Sequence, residues 1–147
     1  MFAWLLVLHI LGASIWTGGH LILSIVVLPK VLKYKSPEML LEFEQNYEKI
    51  GMPALVIQVT TGLMMSYQIL PDVSLWFDMS IPLAHGIAAK LVLLALTVTL
   101  ALDARFRVIP KLSKDNLVDM ALHIIPVTII SVVFVFVGVS FRVGWLS

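Results

Sequence analysis

Four histidines, one deep lysine and a scatter of methionines are the residues of this chain that can do chemistry. His9, Trp16 and His20 are spaced seven and eleven residues apart. At about 100° per residue that spacing puts all three on one helix face, with the two imidazoles about 16 Å apart along the axis. His85 and His123 lie far from them in sequence. All four sit inside apolar runs. An imidazole placed in hydrocarbon is costly unless something partners it, so a functional reading comes first. Lys90 is costlier still, because a cation there needs a counter-charge or an acceptor.

The elements that must position these groups are membrane helices. The chain has 147 residues, 60% of them hydrophobic and 13% charged, with a mean hydropathy of +1.01. That is too apolar for an ordinary soluble domain. Runs of about 20 apolar residues are long enough to cross a bilayer. Such runs predict helices over about 2–28, 52–70, 81–102 and 118–143, with a short amphipathic segment at 37–50. That segment either lies on the membrane surface or extends the second helix. The expected fold is all-α, an integral membrane four-helix bundle, with residues 1–147 forming a single transmembrane domain. No convincing internal repeat is visible. The start lacks a basic region, so it reads as a retained helix and not a cleaved signal. With no cysteine, disulfides, thiolate metal sites and covalent haem attachment are excluded.

Charge distribution sets the expected orientation. Lys30, Lys33, Lys35 and Lys49 fall between the first two helices, and Arg105, Arg107, Lys111 and Lys114 between the last two. The intervening loop has Asp72 and Asp78 and no basic residue. The positive-inside rule then makes the two basic loops cytoplasmic and both termini periplasmic, in a multi-pass protein of a bacterial inner (cytoplasmic) membrane. Lipid headgroups and orientation account for the basic loops, so no nucleic acid partner is implied. A homo-oligomer is compatible with the composition and not required by it.

That topology sorts the histidines by depth into an outer pair, His9 and His85, and an inner pair, His20 and His123. Paired imidazoles from separate helices are what b-type haem needs, a flat apolar disc whose iron takes a nitrogen from each side. The expectation is one or two haems b, with Trp16 between them and Arg142 near a propionate or acting as an interface anchor. Lys90 is then the candidate catalytic residue, facing a propionate, a substrate carboxylate or backbone carbonyls. Such a protein would move electrons within the membrane between quinone, haem and an acceptor. Whether it would also be an enzyme, a haem-dependent membrane oxidoreductase, stays open. The plainer reading is that each histidine hydrogen-bonds a neighbouring helix. Gln58, Thr60, Thr61 and Gly62 read as packing residues that let helices approach. A copper site is the metal alternative, since Met64, Met65 and Met79 gather near the outer ends, and thioether with imidazole suits Cu(I).

Several short patterns add a family resemblance. Leu8-His9-Ile10 with Trp16 and Gly19, Ile50-Gly51-Met52-Pro53-Ala54 with Gly62-Leu63, Lys90-Leu91, and Pro126 resemble the helices of HemJ-type protoporphyrinogen oxidases. Ala89-Lys90-Leu91 through Ala104-Arg105 to Pro110 is similar to the CopD domain of copper-resistance proteins, and so are Gly18-Gly19-His20 and the ending Val137 to Arg142. The resemblance implies a four-helix membrane protein, with His9 as a haem ligand and Lys90 as a functional lysine, or else copper transport or a resistance accessory role. The sequence departs from the HemJ-type pattern at Ile124, where that family has an acid, and at His20, which has no counterpart there. Both departures weigh against protoporphyrinogen oxidation.

Overall fold

The computed structural model describes residues 1–145, which fold into helices with no strand among them. Four helices are long and apolar enough to cross a membrane: α1 (Phe2–Tyr34), α2 (Pro37–Ile69), α3 (Pro82–Lys111) and α4 (Leu117–Val143). At about 1.5 Å per residue they run roughly 40–50 Å. That exceeds the ~30 Å hydrocarbon core of a bilayer, so every helix reaches past it.

The prolines explain the local irregularities. α1 widens into a π turn at Leu23–Val27 and α3 does the same at Ala104–Val108. Each π turn ends two residues before a proline, Pro29 in one case and Pro110 in the other. Proline offers no N–H, and its ring crowds the carbonyl four residues earlier. A wider turn absorbs both effects. α2 and α4 instead carry Pro53 and Pro126 within continuous helix.

Segment 37–50 is the first part of α2, one helix with the apolar run that follows. Its start is well specified. The Ser36 hydroxyl accepts from the Met39 N–H at 3.3 Å, and Pro37 takes the first helical position, where no N–H is needed. Lys35 makes the reversal from α1 in a left-handed conformation (φ 48°, ψ 48°). At the other tight connection, between α3 and α4, the Ser113 N–H donates to Asn116 Oδ1 at 2.7 Å. These two connections define the hairpin end of the bundle. The longer loop between α2 and α3 lies with the termini at the opposite end. There Trp76 is buried and donates from Nε1 to the Leu70 carbonyl at 2.8 Å. The Ser80 hydroxyl and N–H, donating to Asp78, hold that carboxyl below its usual range.

The fold reveals a correspondence that the sequence hides. Each hairpin begins with a helix that widens before a Pro-Lys pair, Pro29-Lys30 in α1 and Pro110-Lys111 in α3. Each ends with a helix carrying an internal proline. Counted from these prolines, His9 corresponds to Lys90, and Gln58 to Ser131. The two halves therefore place their prolines and widened turns alike, with little residue identity between them.

Packing is uneven. α1 lies along α2, α3 along α4, and the halves join through α1 and α4, whereas α2 and α3 share no packed interface along their lengths. The contiguous apolar core, which includes Leu23, Val31, Leu40, Val108 and Ile124, sits toward the hairpin end. There the Arg105–Glu48 ion pair, at 2.8 Å, links α3 to α2. The most extensive helix packing is α1 on α2. A Cβ on Gly12 would lie 2.8 Å from the Ala54 carbonyl oxygen, a backbone atom that cannot swing away. Gly12→Ala is therefore expected to destabilise the bundle by about 1–3 kcal/mol. Gly18→Ala, where a Cβ meets nothing within 4 Å, should be nearly silent. Thermal unfolding of the two variants in detergent checks the contrast.

Candidate functional site: a polar cluster between the hairpins

His9 is held by α2. Its Nδ1–H donates to the Gln58 carbonyl at 2.8 Å and approaches the Thr61 hydroxyl at 3.0 Å. Thr61 is buried and passes its own proton to the Ile57 carbonyl at 2.7 Å. A carbonyl can only accept, so Nδ1 carries the hydrogen. In the neutral ring Nε2 then keeps the lone pair, the tautomer that metal-binding histidines use. A Cβ on Gly62 would come within 3.0 Å of the ring, so the small residue there leaves room for it. Gln58, Thr61 and Gly62 thus do more than let helices approach: together they seat and orient an imidazole. The Gln58 side chain adds a loose end, since its Oε1 is buried and has no hydrogen-bond partner.

Lys90, and not His85, stands at the level of His9. Lys90 lies eight residues into α3 and His9 seven residues into α1, whereas His85 is only three residues into α3. Lys90 is half-buried, lies within electrostatic reach of His9, and places its Nζ 5.1 Å from the centre of the Phe141 ring. Gly138 opposes it on α4, where a Cβ would lie 3.7 Å from Nζ. His85 is held at the rim, its Nε2–H donating to the Met79 carbonyl at 2.9 Å.

The inner histidines face different helices. The His20 ring packs on buried Trp16, with centroids 4.4 Å apart, and edge-on against Tyr47 of α2 at 5.7 Å. Its Nδ1–H donates to the Trp16 carbonyl at 2.9 Å. Tyr47 donates its hydroxyl to the Ile15 and Trp16 carbonyls at 3.0 and 3.1 Å. His123 is buried and turns toward α3 instead. Its Nδ1 lies 2.8 Å from the Asp119 carbonyl oxygen and its Nε2 2.6 Å from the Asp103 carboxylate. Both nitrogens therefore face oxygen atoms of the protein. Asp103 also takes a two-pronged contact from Arg107, at 2.7 and 2.8 Å. His123 thus belongs to an ionic lock at the hairpin end. Of the two histidines expected to form an inner pair, His20 lies against Tyr47 of α2 and His123 against Asp103 of α3. Arg142 is exposed in the last turn of α4.

Among the described residues, no three histidine, cysteine, aspartate or glutamate side chains gather closely enough to hold a metal ion. What the bundle does contain is a membrane-level polar cluster of His9, Gln58, Thr61 and Lys90, with His20, Trp16 and Tyr47 beneath it. Gln58, Thr61, Tyr47 and Asp103 were hidden as site residues because each looks like an ordinary packing or surface residue until its partner is known.

An all-helical, four-span membrane protein with polar groups buried between its hairpins is the class these features define. Its family follows from comparison: the family model described as "Copper resistance protein D" matches residues 41–146, and the chain belongs to this CopD family. No curated protein and no solved structure matches it.

The ionic lock supplies a test. Asp103→Ala removes the carboxylate that buried His123 and Arg107 share and leaves Arg107 with Asp119, whereas Glu48→Ala removes one partner of an exposed pair, of a kind that contributes little. Asp103→Ala is expected to lower the unfolding temperature clearly and Glu48→Ala hardly at all, as read by thermal denaturation of the purified variants.

Proposed function

We propose that this CopD-family protein handles copper at the membrane, taking the ion as cargo at the end of the bundle that carries the termini. The observation that carries this reading is the family match over residues 41–146. The donor types at that end suit it. His85 and Met79 are joined by the Met79 carbonyl, and Met64 and Met65 lie in the last turns of α2. Imidazole and thioether are soft donors that favour Cu(I) over harder cations. His9 suits a bare copper ion less well, because Lys90 lies within electrostatic reach of it. The basic connections at the hairpin end favour a cytoplasmic placement of that end in a bacterial inner membrane, with His85 and Met79 facing the periplasm.

A second reading, b-type haem ligated by His9, draws on the Nδ1–H bond to the Gln58 carbonyl, which presents Nε2 as a ligand. In that reading His9 binds the iron, Trp16 and Phe141 offer apolar surface, and Lys90 pairs with a propionate. Haem supplies one-electron chemistry when bound. Quinone and electron transfer within the membrane would belong to this second reading.

Liposomes reconstituted with the protein and loaded with a Cu(I) chelator test the first reading. Uptake should exceed that of protein-free liposomes and fall severalfold in the Met79→Leu/His85→Ala double variant. Uptake equal to that of protein-free liposomes overturns it. A pyridine-haemochrome spectrum decides the second: His9→Ala should lose it and His123→Ala should keep it.

A further inference from the structure

We propose that Lys90 is the headgroup site for a lipid-soluble monocarboxylate, a fatty acid or a molecule built like one, seated between the hairpins with its chain leaving between α2 and α3. The proposal is independent of the copper reading.

The first observation is an unmatched charge. Lys90 lies about 12 Å below the start of α3. Among the described residues no ion pair includes it, and its close neighbours are the Phe141 ring and Gly138. An aromatic face is a weak substitute for a counter-ion in a region that water does not reach. The second observation is an unmet polar atom on the facing hairpin, the buried Oε1 of Gln58, the residue whose main-chain carbonyl holds His9. A side-chain amide can present either its oxygen or its nitrogen to a headgroup. The third is access. α1 and α4 close one side of the bundle, while on the other side α2 and α3 are joined at the hairpin end by Arg105 and Glu48 and pack little along the rest of their lengths.

These constraints select the ligand. One cation calls for one negative charge. A carboxylate accepts strongly from an ammonium group, and such charge-assisted bonds are short and favourable. Access from the side calls for solubility in hydrocarbon. A phospholipid fits poorly, because its phosphate is tethered at the membrane surface, well above Lys90. A single-chain acid can carry its carboxylate to that depth once the charge is matched.

The test uses the full chain in phosphatidylcholine nanodiscs, with dibromostearic acid and its uncharged methyl ester as tryptophan quenchers. Both probes partition into lipid and quench the exposed Trp4 and Trp145 alike. Only a bound probe should reach buried Trp16. In the native protein, an additional saturable phase is expected for the acid at about tenfold lower probe than for the ester. Lys90→Arg, which keeps the charge, should retain this preference, and Lys90→Met should abolish it. Gln58→Leu should weaken it. Equal quenching by acid and ester in the native protein overturns the proposal, and so does a preference that survives Lys90→Met. The comparison of acid with ester on the native chain decides even if a variant fails to fold.

Discussion

The bond from His9 to the Gln58 carbonyl is the contact on which the middle of the bundle depends. A helix carbonyl inside a bilayer is normally fully used by its own ladder, and a ring nitrogen there has no water to turn to. Joining them ties α1 to α2 at the depth where both groups would otherwise be a liability. Thr61 secures the arrangement, and glycines at 12 and 62 let the backbones come close enough. The same logic recurs lower down, where Tyr47 reaches the carbonyls of Ile15 and Trp16. The first hairpin is therefore held by polar contacts as well as by shape.

The second hairpin is held differently. Its polar contacts gather at the hairpin end, where Asp103 stands between His123 and Arg107 and Asp119 adds a second acceptor. At the middle Thr128 and Ser131 of α4 are tied to α1, and Lys90 of α3 faces Phe141. One half thus supplies oriented acceptors and an imidazole, and the other an unneutralised cation. That asymmetry, in two halves laid out alike, gives the centre of the bundle its chemical character.

The four spans could be read from the sequence because hydrocarbon imposes one rule on every residue that crosses it, and run length reports that rule directly. The cap at Ser36-Pro37 was legible for a similar reason, since its chemistry is local. The pairing of histidines by depth was not, because depth fixes height and leaves direction open. His123 has the height of an inner ligand and the direction of a salt-bridge partner, and that direction depends on Asp103, twenty residues away. Lys90 was legible as costly, but its alignment with His9 appeared only once the start of α3 was fixed at Pro82. Gln58 was discounted because what it gives His9 is its carbonyl, and every residue has one.

The π turns carry a consequence of their own. Each inserts an extra fraction of a residue into the winding, so the helix emerges rotated relative to an unbroken α-helix. The stripe of His9, Trp16 and His20 reaches Leu23, and Leu28 below it buries a face that a continuous helical wheel would turn away from Trp16. Above and below the widened turns, α1 and α3 behave as separately phased rods. Their mid-membrane faces can diversify in ligand chemistry without disturbing the packed end that holds the chain together.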